Sequence, residues 1–437
     1  MKHLNPTIFL LGAMLFSFIL NGQSYTSYFT GNEVNIDVQP QFGLCLMGGA
    51  GESDEAMVWF LERANGGDVV VLRASGSGGY NDYMYSELGV TINSVETIVF
   101  NTAEAAFDPY VIDKVNNAEA IWMAGGDQND YVTYWKDTPI QDAINNLINV
   151  KSGPVGGISA GMAVMGQAYF SAGAGSITSE NALANPFAFQ MQFGYNDFID
   201  APFLENVITE THLNDPDRIR YGRVFAFMAR LAYDQGVRPY GIGSNEFAAV
   251  AIDEDGIARG FGEYPEYEED LVYFLQGNCV EPNGPEIILA AQPLTWNRSG
   301  EAVKVYRLPA TATGENYLDL NNWTDGEGGF WENWYVIEGE LTRDTDAAAP
   351  DCVVSVRNHR LIEALVFPNP SSGTLHIQTE EAKWTYQIFD VAGRLMGQGT
   401  GGSGQNELNL KALPQGIYKL SIRTENANFS SSFVIVQ

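Results

Sequence analysis

Basic residues, histidines and cysteines are all scarce in this chain. Its 437 residues hold 23 Lys+Arg against 54 Asp+Glu, for a formal net charge of −31. Neutralising phosphates takes a basic face, so this balance argues against DNA, RNA or an anionic membrane as a partner. Three cysteines exclude a disulfide framework and a four-cysteine zinc site, and four histidines leave little room for a His-rich metal centre. Beyond the N-terminus no run approaches twenty apolar residues. What remains is ample for a core: 45% hydrophobic and 12% aromatic residues rule out global disorder. The length predicts two or three domains.

Residues 1–24 read as a secretory signal peptide. Lys2 supplies the positive start, residues 8–20 are almost all apolar, and Gly22-Gln23-Ser24 is a small-x-small cleavage site. The mature protein then begins near Tyr25 and is exported, which permits disulfides. Cys45, inside Gly43-Leu44-Cys45-Leu46-Met47, reads as a buried core thiol. Cys279 and Cys352 lie in polar loops and are candidates to pair.

From about residue 41 to 253, short apolar runs (44–47, 69–72, 97–100, 120–124, 154–157, 207–209, 240–242) alternate with helical patterns (54–64, 131–149, 160–169, 218–233). This alternation predicts an α/β domain with a mainly parallel sheet flanked by helices. Functional residues in such sheets sit where strands end and loops lead into helices. From Phe247 onward, alternating strands and Gly-rich turns predict β-rich decoration of the same domain, giving a catalytic unit over 25–342. Residues 343–364, with Ala347-Ala348-Ala349-Pro350, read as a linker. Residues 365–437 predict a small β-sandwich; its five basic and five acidic residues balance, so the negative excess belongs to the rest.

The most informative stretch is Gly157-Ile158-Ser159-Ala160-Gly161. A strand ends and a helix begins at a serine flanked two residues away by glycines, which is the pattern of a nucleophile elbow. The helix start behind it offers free N–H groups to a developing oxyanion, with Ala160 the first donor. A hydroxyl needs a base. His359 and His376 lie in the linker and the C-terminal unit, which leaves His212, at the end of the run 207–209. An acid must orient the imidazole. Between Ser159 and His212 stand Glu180, Asp197, Asp200, Glu205 and Glu210; Glu180 is favoured, in a polar loop after the serine helix, with Asp197 the runner-up.

Ala124-Gly125-Gly126-Asp127-Gln128 follows another strand; Gly126 N–H is a candidate second oxyanion donor and Gln128 a candidate substrate contact. No Lys or Arg occurs from Ser152 to Asp217; then Arg218, Arg220, Arg223 and Arg230 arrive together. Arginine suits bidentate capture of a carboxylate, so Arg218, Arg220 and Arg223 are candidate substrate residues. The glycine turn Met47-Gly48-Gly49-Ala50-Gly51-Glu52 lacks dinucleotide-binding spacing. The acid-rich turns at 253–255 and 325–327 do not fit a calcium loop. No metal and no cofactor are expected.

Taken together, the segments 124–128, 157–161 and 179–186, Thr209-Glu210-Thr211-His212 and Arg218-Ile219-Arg220-Tyr221-Gly222-Arg223 resemble the cyanophycinase and dipeptidase E family of serine peptidases, over residues 42–280. Cyanophycinases carry Asp-Gln where this chain has Glu210-Thr211. The resemblance implies a class I glutamine-amidotransferase-like (flavodoxin-like) fold and metal-free hydrolysis with Ser159 as nucleophile, His212 as base and Glu180 as acid. It implies a peptide or isopeptide substrate bearing an aspartyl or β-aspartyl carboxylate. An inactive binding module on the same fold is the alternative; a glutamine amidotransferase would need cysteine at the elbow. A homodimer is one candidate assembly. In the C-terminal unit, Val366-Phe367-Pro368-Asn369-Pro370, Ile388-Phe389-Asp390-Val391-Ala392-Gly393-Arg394 and Leu413-Pro414-Gln415-Gly416-Ile417-Tyr418 resemble type IX secretion sorting domains. That implies the type IX machinery as a partner and a secreted or cell-surface destination; a carbohydrate-binding sandwich is the bland alternative.

Overall fold

The computed structural model describes residues 23–350, 364–390, 395–423 and 428–436. The expected signal peptide up to residue 22 and the linker stretch 351–363, Cys352 included, lie outside the described residues. The chain divides into two compact units, Met1–Pro350 and Asp351–Gln437.

The first unit is built on two sheets. The larger has ten strands in the order β1 (Tyr25–Gly31), β4 (Ser94–Phe100), β3 (Asp68–Arg73), β5 (Ala120–Met123), β6 (Pro154–Ile158), β2 (Gly43–Met47), β11 (Ala249–Ile252), β12 (Ile257–Tyr264), β15 (Tyr317–Asp319) and β16 (Gly326–Glu327). The five neighbours β4, β3, β5, β6 and β2 run parallel. They are apolar almost throughout because both faces are covered. One face packs Met47, Val69, Val71 and Trp122 against Phe60 and Leu61 of the Asp54–Glu62 helix. The other packs Leu46, Val70, Leu72 and Ile121 against the Pro109–Asn117 and Pro139–Asn149 helices. The single helix expected over 131–149 is two, Gln128–Trp135 and Pro139–Asn149, because Thr138 caps the second and Pro139 opens it.

The second sheet runs β18 (Glu340–Asp344), β17 (Phe330–Ile337), β14 (Val303–Pro309), β13 (Leu271–Gly277), β10 (Tyr240–Ser244), β9 (Val207–Glu210), β7 (Ala168–Phe170) and β8 (Phe193–Tyr195). Here the structure departs from the expected single parallel sheet. Antiparallel β11 occupies the free edge of β2, so β9 and β10 join a sheet of their own. They are parallel to each other and linked by the Tyr221–Gln235 helix, which ends on Gly236 in the left-handed region. The segment expected as decoration is integral: β14, β17 and β18 complete this sheet, and Trp296 and Trp334 are fully buried in its core. The expected linker also begins too early, since β18 extends to Asp344. Cys45 is free and buried, and Cys279 is disulfide-bonded.

In the second unit the ladders link β19 (Ala364–Phe367), β20 (Thr374–Asp390), β22 (Gly416–Arg423) and β23 (Asn428–Ile435) in that order, with β21 (Leu395–Asn409) on β20. The unit is all-β, as expected, and its ladders run through β20 and β21, which are long and shift register midway. Leu375, Ile377, Trp384, Leu420 and Phe433 form a core of its own. Among the described residues no helix is long and apolar enough to cross a membrane.

Candidate active site

Three adjacent strands of the first sheet, β5, β6 and β2, bring the loops after them side by side. The middle loop carries Ser159 at φ +53°, ψ −110°, a conformation costly for any residue with a Cβ. Its flanks explain the glycines. A Cβ on Gly161 would lie 2.1 Å from Met123 O, and one on Gly157 2.6 Å from the Gly161 carbonyl carbon. The helix behind is a single turn, Ala160–Ala163; the longer helix expected to 169 gives way to β7.

The second sheet supplies the partners. His212 follows β9 and Glu246 follows the neighbouring β10. Ser159 Oγ and His212 Nε2 are 2.9 Å apart, and His212 Nδ1 and Glu246 Oε1 are 2.7 Å apart. A carboxylate only accepts, so Nδ1 carries the proton and Nε2 is left to accept from the serine hydroxyl. Glu246 is itself held: its N–H donates to Asn214 Oδ1 at 2.8 Å.

The acid on the imidazole is therefore Glu246, not the expected Glu180. Glu180 stands exposed in the first turn of the Ser179–Ala184 helix. The runner-up Asp197 accepts from Tyr169 and pairs with Lys136 at 2.9 Å. Searching only between Ser159 and His212 missed a carboxylate 34 residues beyond the histidine. The missed signal was Asn245-Glu246, which follows directly on the strand β10 that grows out of the apolar run 240–242.

A cleft of about 390 Å³ opens beside Ser159, lined by Gly126, Gln128, Ala160, Thr211, Arg220 and Arg223 among others. Tyr131 donates to the Ala124 and Gly125 carbonyls, which fixes the Gly126 turn next to the serine. Burial raises the Tyr131 phenol well above its usual range, so it stays a donor. The arginines divide. Arg223 is buried and spoken for, bidentate to Glu210 at 2.7 and 2.5 Å. Arg220 lies just before the Tyr221–Gln235 helix, which starts later than the helical pattern expected from 218. It donates to Thr211 at 3.2 and 3.3 Å, while its buried Nε has no hydrogen-bond partner. Burial also lowers its pKa from the ordinary guanidinium value. Arg218 is exposed and does not line the cleft. Among the described residues no group of three or more His, Cys, Asp or Glu could hold a metal ion.

The family profile of Peptidase family S51 matches residues 79–195, which include Gly126 and Ser159. The profile of the secretion system C-terminal sorting domain matches residues 365–437. Among solved structures, the chain is similar to a peptidase from an acI-B1 Actinobacterium, with 18% identity, TM-score 0.36, and coverage of 52% of this chain and 89% of that one. It is also similar to a candidate peptidase E from Listeria monocytogenes EGD-e, with 15% identity, TM-score 0.32, and coverage of 49% and 95%. No curated protein matches. The elbow lies inside the region that matches peptidase family S51, and the balanced C-terminal unit fills the region that matches the sorting domain; together the two matches support a secreted peptidase, exported through its type IX sorting domain.

Proposed function

We propose that this protein is a serine peptidase acting through Ser159, His212 and Glu246 on a peptide or isopeptide bond next to an acidic residue. The observation that carries the reading is the unbroken chain of hydrogen bonds from Ser159 Oγ through His212 to Glu246, at 2.9 and 2.7 Å. Ser159 Oγ attacks the scissile carbonyl as Nε2 takes its proton. The C–N bond then breaks as that proton passes to the leaving amine, and water releases the acyl group by the same route. Glu246 holds the tautomer and balances the imidazolium. The N–H groups of Gly126 and Ala160 receive the oxyanion.

The acidic preference rests on Arg220. Its side chain lines the cleft and its acidic neighbours Asp215 and Glu210 stand no nearer than 3.7 and 4.0 Å, so a substrate carboxylate can make the closer, charge-assisted contact. Gln128 serves as a second contact. Arg223 is assigned to holding Glu210, and Arg218 is left out of the site. We further propose the division into a signal peptide at 1–24, a catalytic unit from 25 to the end of β18 at Asp344, a linker after it and a sorting domain at 365–437. The separate core of the C-terminal unit supports it.

The test joins covalent labelling to substrate profiling. A fluorophosphonate should modify Ser159, and aspartyl or β-aspartyl dipeptides should be cleaved faster than their neutral analogues. Absence of labelling would make the protein a binding module on a peptidase fold. Equal rates on neutral substrates would remove the role of Arg220.

A further inference from the structure

The glycine turn after β2 takes no part in the chemistry above, yet the whole catalytic chain is tied to it. Three consecutive carbonyls of this turn accept hydrogen bonds. Met47 O receives the N–H of Ser159 at 3.1 Å, Gly48 O that of His212 at 3.1 Å, and Gly49 O that of Phe247, the residue after Glu246, at 3.0 Å. Gly48 N–H donates in turn to Ala248 O at 2.9 Å. The serine belongs to the first sheet; the histidine and the glutamate leave the second. The buried turn 47–49 is thus where the two sheets are pinned together at the site.

The space around the turn is as telling as its bonds. A Cβ on Gly48 would fall 1.9 Å from Asn245 O, so a bare Cα is what lets the end of β10 come this close. A Cβ on Gly49 would fall 2.2 Å from both Cε1 and Nε2 of His212 and 2.8 Å from Cδ2. Gly49 also has φ +130°, which side-chain-bearing residues rarely adopt. The imidazole rests directly on this residue, with Cε1 and the reactive Nε2 equally near. Restoring ordinary contact with a methyl group there would push the ring away by more than 1 Å. The bond to Ser159 Oγ would not survive that shift.

We propose that Gly49 is a positioning residue: its bare Cα is the seat of the His212 imidazole, and the Met47-Gly48-Gly49 carbonyls hold serine, histidine and glutamate in mutual register across the two sheets. The activity part of this inference rests on the serine-peptidase reading; the steric part does not.

The experiment is a double-mutant cycle of Gly49→Ala and His212→Ala in the mature protein, read by turnover, by fluorophosphonate labelling and by thermal unfolding. Gly49→Ala should lower kcat by on the order of 100-fold while KM changes by less than about threefold, because a displaced base spoils the chemical step and not the binding. It should also lower the unfolding midpoint, and most of that loss should vanish when His212 is already alanine, since the ring it strikes is gone. Backbone strain at φ +130° is common to both backgrounds and cancels. A folded Gly49→Ala protein with wild-type kcat would overturn the proposal, as would an unfolding loss that is the same with and without the ring. If Gly49→Ala alone does not fold, recovery of the fold in the double variant supports the seat, and failure of the double variant refutes it. If the unmutated protein neither labels nor hydrolyses, the peptidase reading falls, while the thermal comparison still decides the seat.

Discussion

The two sheets of the first unit both deliver groups of the proposed triad from the carboxyl ends of parallel strands, but they control them differently. In the first sheet the critical geometry is local. Ser159 is aimed by a strained φ of +53° and by glycines two residues on either side, all within five residues of chain. In the second sheet it is non-local. His212 and Glu246 meet because β9 and β10 are neighbours, joined by a crossover helix, although 34 residues separate them. A nucleophile elbow can therefore be read from a pentapeptide, whereas a base–acid pair is readable only once the strand order is known.

The strongest way to break this comparison is to remove the local element. Ser159→Ala should cut hydrolysis by on the order of 10⁴-fold or more and abolish fluorophosphonate labelling. Ser159→Gly should be equally inactive yet melt higher than Ser159→Ala, since glycine relieves about 1 kcal/mol of left-handed strain. Wild-type turnover by either variant would remove Ser159 from the chemistry; a lower midpoint for the glycine variant would remove the strain argument.

The non-local element is tested next. Glu246→Gln should lower kcat by roughly 10²–10⁴-fold, because the amide no longer enforces the productive tautomer. Glu180→Gln should leave kcat within about twofold. The opposite ranking in steady-state kinetics would restore Glu180 as the acid and detach function from the β9–β10 pairing.

The crossover helix sharpens the contrast further, because Arg220 and Arg223 stand three residues apart with different work. Arg223→Ala strands a buried Glu210 carboxylate and should cost about 3–5 kcal/mol in denaturant unfolding. Arg220→Lys should leave stability nearly unchanged but lower kcat/KM on acidic substrates by about one to two decades, equivalent to ~1.5–3 kcal/mol. An unchanged ratio of acidic to neutral substrates would return Arg220 to a structural role.

The smallest effect lies at the amino ends of the first sheet, away from the chemistry. Burial pushes the Glu119 carboxyl up to about 7 from its ordinary 4.5. Its Oε2 accepts the Asp68 N–H at 2.7 Å, and the negative charges of Asp68 and Asp37 add to the shift. The folded state then binds the proton more tightly than the unfolded one. The stabilisation is complete below pH 4.5 and is lost as pH rises through about 7. Glu119→Gln should flatten this decline in a pH series of unfolding midpoints. An identical slope in the variant would place the titration elsewhere.

Much of the first sheet was legible. The runs 44–47, 69–72, 97–100 and 154–157 are strands because buried parallel strands must be apolar on both faces. The runs 207–209 and 240–242 were equally visible as strands, but their sheet was not. Membership was decided by β11, whose antiparallel pairing with β2 no local pattern announces. The same holds for Arg220: a helical period predicts a shared face with Arg223, whereas the helix starts only at Tyr221.

By itself, the sequence determined the compartment logic, the strand–helix alternation, the elbow at Ser159 and, by elimination, His212. Each of these depends on residues close together in the chain or on a residue type being scarce. Only the tertiary structure decided that Glu246 takes the imidazole, that Glu210 neutralises Arg223, and that Gly49 lies against the histidine ring. Those three facts depend on distances between segments brought together by sheet order, and hydrogen bonds and steric exclusion act over a few ångströms of space, whatever the separation along the chain.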